Sequence, residues 1–184
     1  MNPEFPTLHQ YLFVINPSPE VSEKVIGFKY ELESHIGEFS SLHSEPHITI
    51  GTITLSQLKE EMLLERIQYV CAHTKPFSIA LDGFGSFKPH TVYSRLMDSQ
   101  AIRAFMRACE IASQGLPSKK GWQPKAKNPH MTIGRELGPK FKQAKELFID
   151  RTYRSSFEVS KLRVMRRELE GRYYVISEIP FQER

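Results

Sequence analysis

Two six-residue segments, Pro46-His47-Ile48-Thr49-Ile50-Gly51 and Pro129-His130-Met131-Thr132-Ile133-Gly134, repeat one pattern in the two halves of the chain. Each runs proline, histidine, an apolar residue, threonine, an apolar residue and glycine. Proline and glycine each make up only about 5 to 7% of an average protein, so coincidence is a poor explanation for two complete matches. The repeat therefore predicts an internally duplicated fold in which the two segments hold equivalent places.

Both segments are predicted to be β-strands, because β-branched and apolar residues alternate with polar ones. Side chains of a strand point alternately to opposite faces, so His47 shares a face with Thr49, and His130 shares one with Thr132. Each strand thus presents an imidazole and a hydroxyl about 6 to 7 Å apart at the backbone. If the duplication places the strands symmetrically, two imidazoles face each other across a cleft with two hydroxyls beside them.

The rest of the chain supplies strands and helices in a similar order around each motif. Around the first motif we predict a strand at 11–15, a helix from Ser18 to Gly37 and a helix after Ser56. Around the second we predict strands at 76–81 and 91–97, a Gly/Phe-rich loop at 83–89, a basic loop at 119–127, helices after Ser99 and Pro139, and a hairpin of 157–165 with 172–179. These elements predict an α+β fold, a single bilobal domain over residues 1–184 in which each lobe contributes one motif (47–50 and 130–133).

Composition limits the class of protein. The 184 residues are 40% hydrophobic and 25% charged, which suits one globular domain and excludes a mainly disordered chain. The longest apolar run, at 12–15, is far too short to span a membrane, and we expect no membrane partner. The amino terminus lacks the basic region and apolar stretch of a signal peptide, so we expect a cytoplasmic protein. Cys71 and Cys109 fit buried thiols, and their spacing suits no zinc site.

The net charge of +4 conceals an imbalance between the two halves. Residues 1–92 carry six Lys/Arg against eleven Asp/Glu, whereas residues 93–184 carry nineteen against ten. The basic second half suggests an anionic partner, although many basic surfaces are merely solvated.

Two imidazoles with two hydroxyls suit the opening of a phosphodiester, above all a 2',3'-cyclic one. That reaction needs a base for the attacking water, an acid for the leaving ribose oxygen, and donors for the phosphoryl oxygens. Because the ordinary pKa of histidine is about 6.5, one imidazole can be neutral and the other protonated near neutral pH. Thr49 and Thr132 are placed to donate to the non-bridging oxygens. The sequence does not say which histidine is the acid, and this chemistry requires no metal.

With these motifs the chain resembles the two-histidine (2H) phosphoesterase superfamily, in its 2',5' RNA ligase and cyclic phosphodiesterase branch. The resemblance covers most of the chain and implies two antiparallel sheets flanked by helices, with the active cleft between the lobes. It implies that His47 and His130 are catalytic and that Thr49 and Thr132 bind phosphate, with no cofactor. Arg135, directly after the second motif, matches a frequent family feature, which implies a further phosphate ligand; the alternative is a solvated charge at the end of the strand.

The chain also departs from the family. A ten-residue extension precedes the first strand, and a basic residue common near the start of RNA-processing members is absent, so the family substrate is not carried over. The implied partner is RNA or a nucleotide with a cyclic or a 2',5'-linked phosphate, and the sequence does not choose between them. Three activities also stay open: cyclic phosphodiesterase, 2',5' RNA ligase or 2',5'-phosphodiesterase, and a non-catalytic RNA or nucleotide-binding module. No motif fixes the oligomeric state, and we expect a monomer.

Further residues are candidates for contacts to nucleic acid. The basic loop around Trp122, which includes Lys125 and Lys127, offers charge for a backbone and an aromatic face for a base; the alternative is a solvated loop whose Trp covers the core. Phe84 and Phe87 are candidates for stacking on a base, with burial expected for at least one.

Two other interpretations of the histidines compete with this one. Zinc binding by His47 and His130, with His43, His90 or Glu45, conflicts with the threonines at the paired positions, because Thr is a poor zinc ligand. A pair of core histidines on equivalent strands is the structural alternative. His90 receives no catalytic role, because its neighbouring hydroxyl, on Thr91, would point to the opposite face of a strand.

Overall fold

The computed structural model describes residues 7–123 and 129–182, which form an antiparallel nine-stranded sheet and four α-helices over that range. The strands are β1 (Leu8–Ile15), β2 (Ile48–Ser56), β3 (Phe77–Phe87), β4 (Thr91–Leu96), β5 (Ser118–Gln123), β6 (His130–Gly134), β7 (Arg154–Val159), β8 (Lys161–Glu168) and β9 (Tyr174–Pro180). The helices are α1 (Pro19–Ile36), α2 (Glu60–Ala72), α3 (Gln100–Ser113) and α4 (Phe141–Phe148), with short 3-10 turns at Gln57–Lys59 and Gly138–Lys140. The predicted α+β class is confirmed.

The two motif strands are neighbours at the centre of the sheet. The strand order is β7-β3-β4-β6-β2-β1-β8-β9, and β5 also pairs with β2. In this order four strands lie on each side of the junction between β6 and β2, with β5 as an additional ninth strand. The junction is made by the pairing of Ile48 with Met131. The two sheets expected from the sequence thus join into one at the motifs.

Both motif strands carry a β-bulge at the same point. The register of β2 against β1 shifts between Thr49 and Gly51, so the residue between them has no partner in β1. The register of β6 against β4 shifts between Thr132 and Gly134 in the same way. A bulge bends its strand and redirects the side chains around it, so two equivalent bulges are consistent with an internal duplication.

Each motif glycine also permits a close approach. A Cβ atom added to Gly134 would lie 2.7 Å from Cδ2 of Leu32, and one added to Gly51 would overlap the ring of Trp122. A larger residue at either position would therefore displace a packed side chain. The glycine of the repeated pattern is thus required by packing.

Helix α1 follows a strand of the first half and packs in the core of the second half. Ser18 caps it by accepting a hydrogen bond from the amide of Val21 at 3.4 Å, and Gly37 ends it with φ of 71°. The ring centroid of Phe28 lies 5.2 Å from that of Phe84, 5.9 Å from that of Phe148 and 5.0 Å from that of Tyr153. The two halves therefore share their packing.

The structure corrects three predicted boundaries. The Gly/Phe-rich segment is mostly strand, because β3 continues to Phe87, and the start of the basic loop is strand β5. The strand predicted at 157–165 is two strands that separate at Ser160: β7 pairs with β3, and β8 pairs with β1 and β9. The burial pattern explains the break, since odd-numbered residues are buried in β7 and even-numbered ones at the start of β8.

No helix within residues 7–123 and 129–182 is both long and apolar enough to cross a membrane. The cytoplasmic location stays a prediction. Both cysteines are free and buried, as the sequence indicated, and burial raises the pKa of Cys71 to about 12.

Candidate active site

The four motif side chains lie on one face of the sheet at the junction of its halves. Because Ile48 pairs with Met131, extending the antiparallel register by one residue puts His47 opposite Thr132 and Thr49 opposite His130. The alternate residues of both strands are fully buried, while the histidines and threonines are partly exposed. Each imidazole therefore has the hydroxyl of the other motif as its cross-strand neighbour.

His47 is held in one orientation and one tautomer by the chain before it. Its Nδ1 lies 2.8 Å from the carbonyl oxygen of Glu45. Since a carbonyl oxygen only accepts, Nδ1 carries the hydrogen, and the neutral ring keeps a lone pair on Nε2. Burial lowers the pKa of His47, and the nearby charges of Lys29 and Arg135 lower it further against the raising effect of Glu45. This ring is neutral near neutral pH and suited to accept a proton.

Lys29 is a buried cation beside the first motif that the sequence reasoning missed. Its ammonium group donates to the carbonyl oxygens of Ser41 at 2.8 Å and Ser44 at 2.6 Å, and to Oγ of Ser44 at 2.9 Å. The side chain is 1% exposed, and burial, with a smaller effect of Arg135, lowers its pKa from 10.5 to about 8. Helix α1 thus holds the loop that leads into the first motif.

That same loop is also tied to the end of the second motif. Oγ of Ser41 accepts from the amide of Arg135 at 3.0 Å and donates to the carbonyl of Ile133 at 3.4 Å. Oγ of Ser40 donates to the carbonyl of Arg135 at 3.2 Å. The Arg135 side chain is 60% exposed and lies 3.7 Å from the carboxylate of Glu136. Its backbone is therefore fixed, while its guanidinium stays accessible to solvent.

Aromatic rings surround His130. The ring centroid of His130 lies 4.9 Å from that of Phe87 and 4.9 Å from that of Tyr93, and these two rings stack at 4.5 Å. Tyr93 pairs with Thr132 across the strands, and burial raises its pKa. Gly85 provides the space, because a Cβ there would lie 2.6 Å from Cζ of Tyr93. Tyr93 was not predicted as a site residue.

The candidate nucleic-acid contacts differ in their surroundings. Trp122 is half-buried, its ring centroid lies 5.1 Å from that of Phe13, and it covers Gly51, which favours the core-covering alternative. Lys125 and Lys127 lie outside the described residues. Phe84 is 1% exposed inside a cluster of aromatic rings, so the prediction that it contacts a base is wrong, whereas Phe87 is 37% exposed. His90 is exposed in the turn between β3 and β4.

Metal-ligating side chains do not cluster in the part of the chain that the structure describes. Within residues 7–123 and 129–182, no group of three or more His, Cys, Asp or Glu is arranged to hold a metal ion.

Known proteins share this architecture. The profile of the 2'-5' RNA ligase superfamily matches residues 17–171. The chain is 15% identical to E. coli LigT, solved in complex with 3'-AMP, with a TM-score of 0.71 over 97% of this chain and 100% of that one. LigT has also been solved in complex with NADP+ and with ATP.

Two further structures are similar. The protein TT0787 of Thermus thermophilus is 16% identical, with a TM-score of 0.71 over 94% of this chain and 97% of that one. Usb1 of Kluyveromyces marxianus is 12% identical, with a TM-score of 0.55 over 94% and 98% of the two chains. No protein of curated function matches the chain.

Proposed function

The chain belongs to the 2'-5' RNA ligase superfamily, and on that basis we propose that it is a metal-independent phosphoesterase that opens 2',3'-cyclic phosphates of nucleotides or RNA ends. The membership agrees with the resemblance drawn from the two motifs. The single observation that carries the proposal is the pairing of Ile48 with Met131, which supports one site built from both histidines and both threonines.

We assign the base to His47 and the acid to His130. The Nδ1 contact of His47 with the carbonyl of Glu45 and its lowered pKa support a neutral ring with a free lone pair on Nε2. Nε2 takes a proton from water while the water oxygen bonds to phosphorus. The bond from phosphorus to the ribose 3' oxygen breaks, and His130 gives its proton to that oxygen, which leaves a 2'-phosphomonoester.

Phosphate binding is assigned to Thr49, Thr132 and Arg135. The threonines share the face of the histidines, so their hydroxyls are suited to donate to the non-bridging oxygens as these gain charge. The exposed guanidinium of Arg135 is suited to neutralise the phosphate. The complexes of LigT with 3'-AMP, NADP+ and ATP support a nucleotide as the class of ligand.

We also propose that the chain works as one bilobal domain, with each lobe contributing one motif to a shared site. Helix α1 supports this proposal, because it follows β1 but packs against α4 and β6. Lys29 on the same helix supports it further, since it holds the loop of the first motif. Neither half is expected to be active alone.

The experiment measures turnover of 2',3'-cyclic nucleotides and of an oligonucleotide with a cyclic phosphate end, with and without a chelator. His47→Ala and His130→Ala should each lose about 10² to 10⁴ in kcat, because each removes one proton transfer. The matched control is His90→Ala, an exposed histidine in the turn between β3 and β4, which should keep full activity.

The product separates the alternatives. A 2'-phosphomonoester formed in chelator supports the phosphodiesterase, and joined oligonucleotides with a 2',5' linkage support the ligase. Binding without any product supports a non-catalytic module. Full turnover after replacement of both histidines would overturn the proposal.

A further inference from the structure

A rigid cluster is formed by Gln10 of β1, Arg167 of β8 and Tyr173, which directly precedes β9. Nε and Nη2 of Arg167 donate to Oε1 of Gln10 at 3.0 and 2.7 Å, and the hydroxyl of Tyr173 donates to the same oxygen at 2.6 Å. The guanidinium also lies 4.7 Å from the ring centroid of Tyr173. These contacts hold Arg167 in one conformation, so little side-chain freedom remains to be lost when it binds a ligand.

The charge of this arginine is not compensated. Among the described residues, no carboxylate lies within ion-pair distance of Arg167, and its Nη1 has no acceptor. Arg163, four residues earlier on the same strand, instead forms ion pairs with Glu45 at 2.7 Å and Glu178 at 2.9 Å. A half-buried guanidinium with free donors and no carboxylate partner is suited to bind an external anion.

The cluster lies on the same face of the sheet as the motif histidines. Val14 pairs with Thr49, and Gln10, on the same strand β1, pairs with Arg167. Since Val14 and Gln10 are four residues apart, their side chains share a face and their Cα atoms are about 13 Å apart along the strand. One phosphate cannot contact both places, but two phosphates of one chain can.

The electrostatics connect the cluster with the site. Burial raises the pKa of the Tyr173 phenol, and the charges of Arg167 and Arg135 act against it. Arg135 also acts on His47. The charge of Arg135 therefore acts on both the first motif and the cluster of Arg167, Gln10 and Tyr173.

We propose that Arg167, Gln10 and Tyr173 form a second phosphate subsite, which binds a backbone phosphate of an RNA whose terminal phosphate lies between the two histidines. This inference rests on the proposed function and names its substrate class, an RNA chain end in place of a mononucleotide. Arg167 supplies the charge and the free Nη1 donors, and Gln10 and Tyr173 hold it in position.

The test measures binding, so it does not depend on turnover. Calorimetry compares four ligands that share a 3'-phosphate end: a nucleoside 3'-phosphate, a nucleoside 3',5'-bisphosphate, a dinucleotide and a trinucleotide. We expect the trinucleotide to bind about tenfold more tightly than the nucleoside 3'-phosphate, since a charge-assisted hydrogen bond contributes on this scale. The bisphosphate and the dinucleotide should show little of this gain, because two adjacent phosphates are too close together to span the two places. The extra contact should also steepen the dependence of log K on log salt by about 0.7.

Variants identify the residue responsible. Arg167→Gln should abolish the tenfold gain and leave binding of the nucleoside 3'-phosphate nearly unchanged. Arg167→Lys, which keeps the charge but lacks the planar guanidinium with its several N–H donors, should retain part of the gain in affinity. The matched control is Arg163→Gln, since that arginine is already paired with two carboxylates; it should leave the ratio of affinities within about twofold. Thermal melting of each variant verifies that it is folded.

Three results would overturn the inference. If the trinucleotide binds no more tightly than the nucleoside 3'-phosphate, or if Arg167→Gln and Arg167→Lys both keep the full gain, the cluster is not a phosphate subsite. If the bisphosphate captures the whole gain, the ligand is a terminal phosphate and the RNA assignment is wrong. Loss of turnover in the histidine variants addresses the proposed function separately.

Discussion

Replacing Lys29 with methionine should separate stability from activity. The lowered pKa of Lys29, about 8 in place of 10.5, means that burying the charged ammonium costs about 3 kcal/mol relative to the neutral amine. Methionine removes that cost but leaves the carbonyl of Ser44 without its Lys29 donor, which costs about 1 to 3 kcal/mol. The carbonyl of Ser41 keeps a donor, Oγ of Ser44 at 2.8 Å. At pH 7 the free energy of unfolding should therefore change by less than about 2 kcal/mol.

The pH dependence of stability shows the direction in which Lys29 acts. Because the pKa of Lys29 is lower in the folded than in the unfolded chain, the folded state loses its proton first, and stability rises between pH 8 and 10.5. The free energy of unfolding of the wild type, minus that of Lys29→Met, should increase by about 3 kcal/mol across this window. Urea unfolding at a series of pH values measures this difference.

Activity should respond in another way. Loss of the Lys29 charge removes one cause of the low pKa of His47, so the acid limb of kcat/KM should move to higher pH. The loop before the first motif also loses its anchor, so kcat should fall. If the acid limb stays in place and the stability difference does not change with pH, the assigned role of Lys29 is wrong.

Other substitutions test separate parts of the account. Thr132→Val should lower kcat by about 10² to 10³ with little change in melting temperature, while Thr132→Ser should restore most activity; equal losses in both would contradict a hydroxyl role. Gly134→Ala should destabilise by about 1 to 3 kcal/mol in urea unfolding, because its Cβ would meet Leu32 at 2.7 Å; an unchanged midpoint would refute that contact. Phe28→Ala should destabilise by about 3 to 5 kcal/mol, since it removes a ring shared by both halves; a loss below about 1 kcal/mol would contradict this packing.

The sequence predicted the elements that depend on local patterns. Helix α1 begins at the Ser18 cap and ends at Gly37, as the periodicity indicated, and the motif strands alternate as expected. The placement of His47, Thr49, His130 and Thr132 on one face follows from that alternation and from the pairing of Ile48 with Met131. Their catalytic and binding roles stay predictions.

Features that depend on tertiary packing could not be predicted in the same way. Lys29 lies four residues after Val25 and three before Leu32, both buried, so a charge within the apolar stripe of α1 was a usable signal. The only signal for the end of β7 was the alternation of buried residues, which occupy odd-numbered positions before Ser160 and even-numbered positions after it. The burial of Phe84 had no such signal, because its enclosure comes from α1 and α4.

The pH profile of kcat/KM on a 2',3'-cyclic nucleotide tests most directly whether two histidines, one from each half, perform complementary proton transfers. We predict a bell-shaped profile whose acid limb belongs to His47 and lies below pH about 6.5, because burial and neighbouring cations lower the pKa of that ring. The residual activity of His47→Ala should lose the acid limb, and that of His130→Ala should lose the basic limb. A profile that keeps both limbs in both variants would contradict the account.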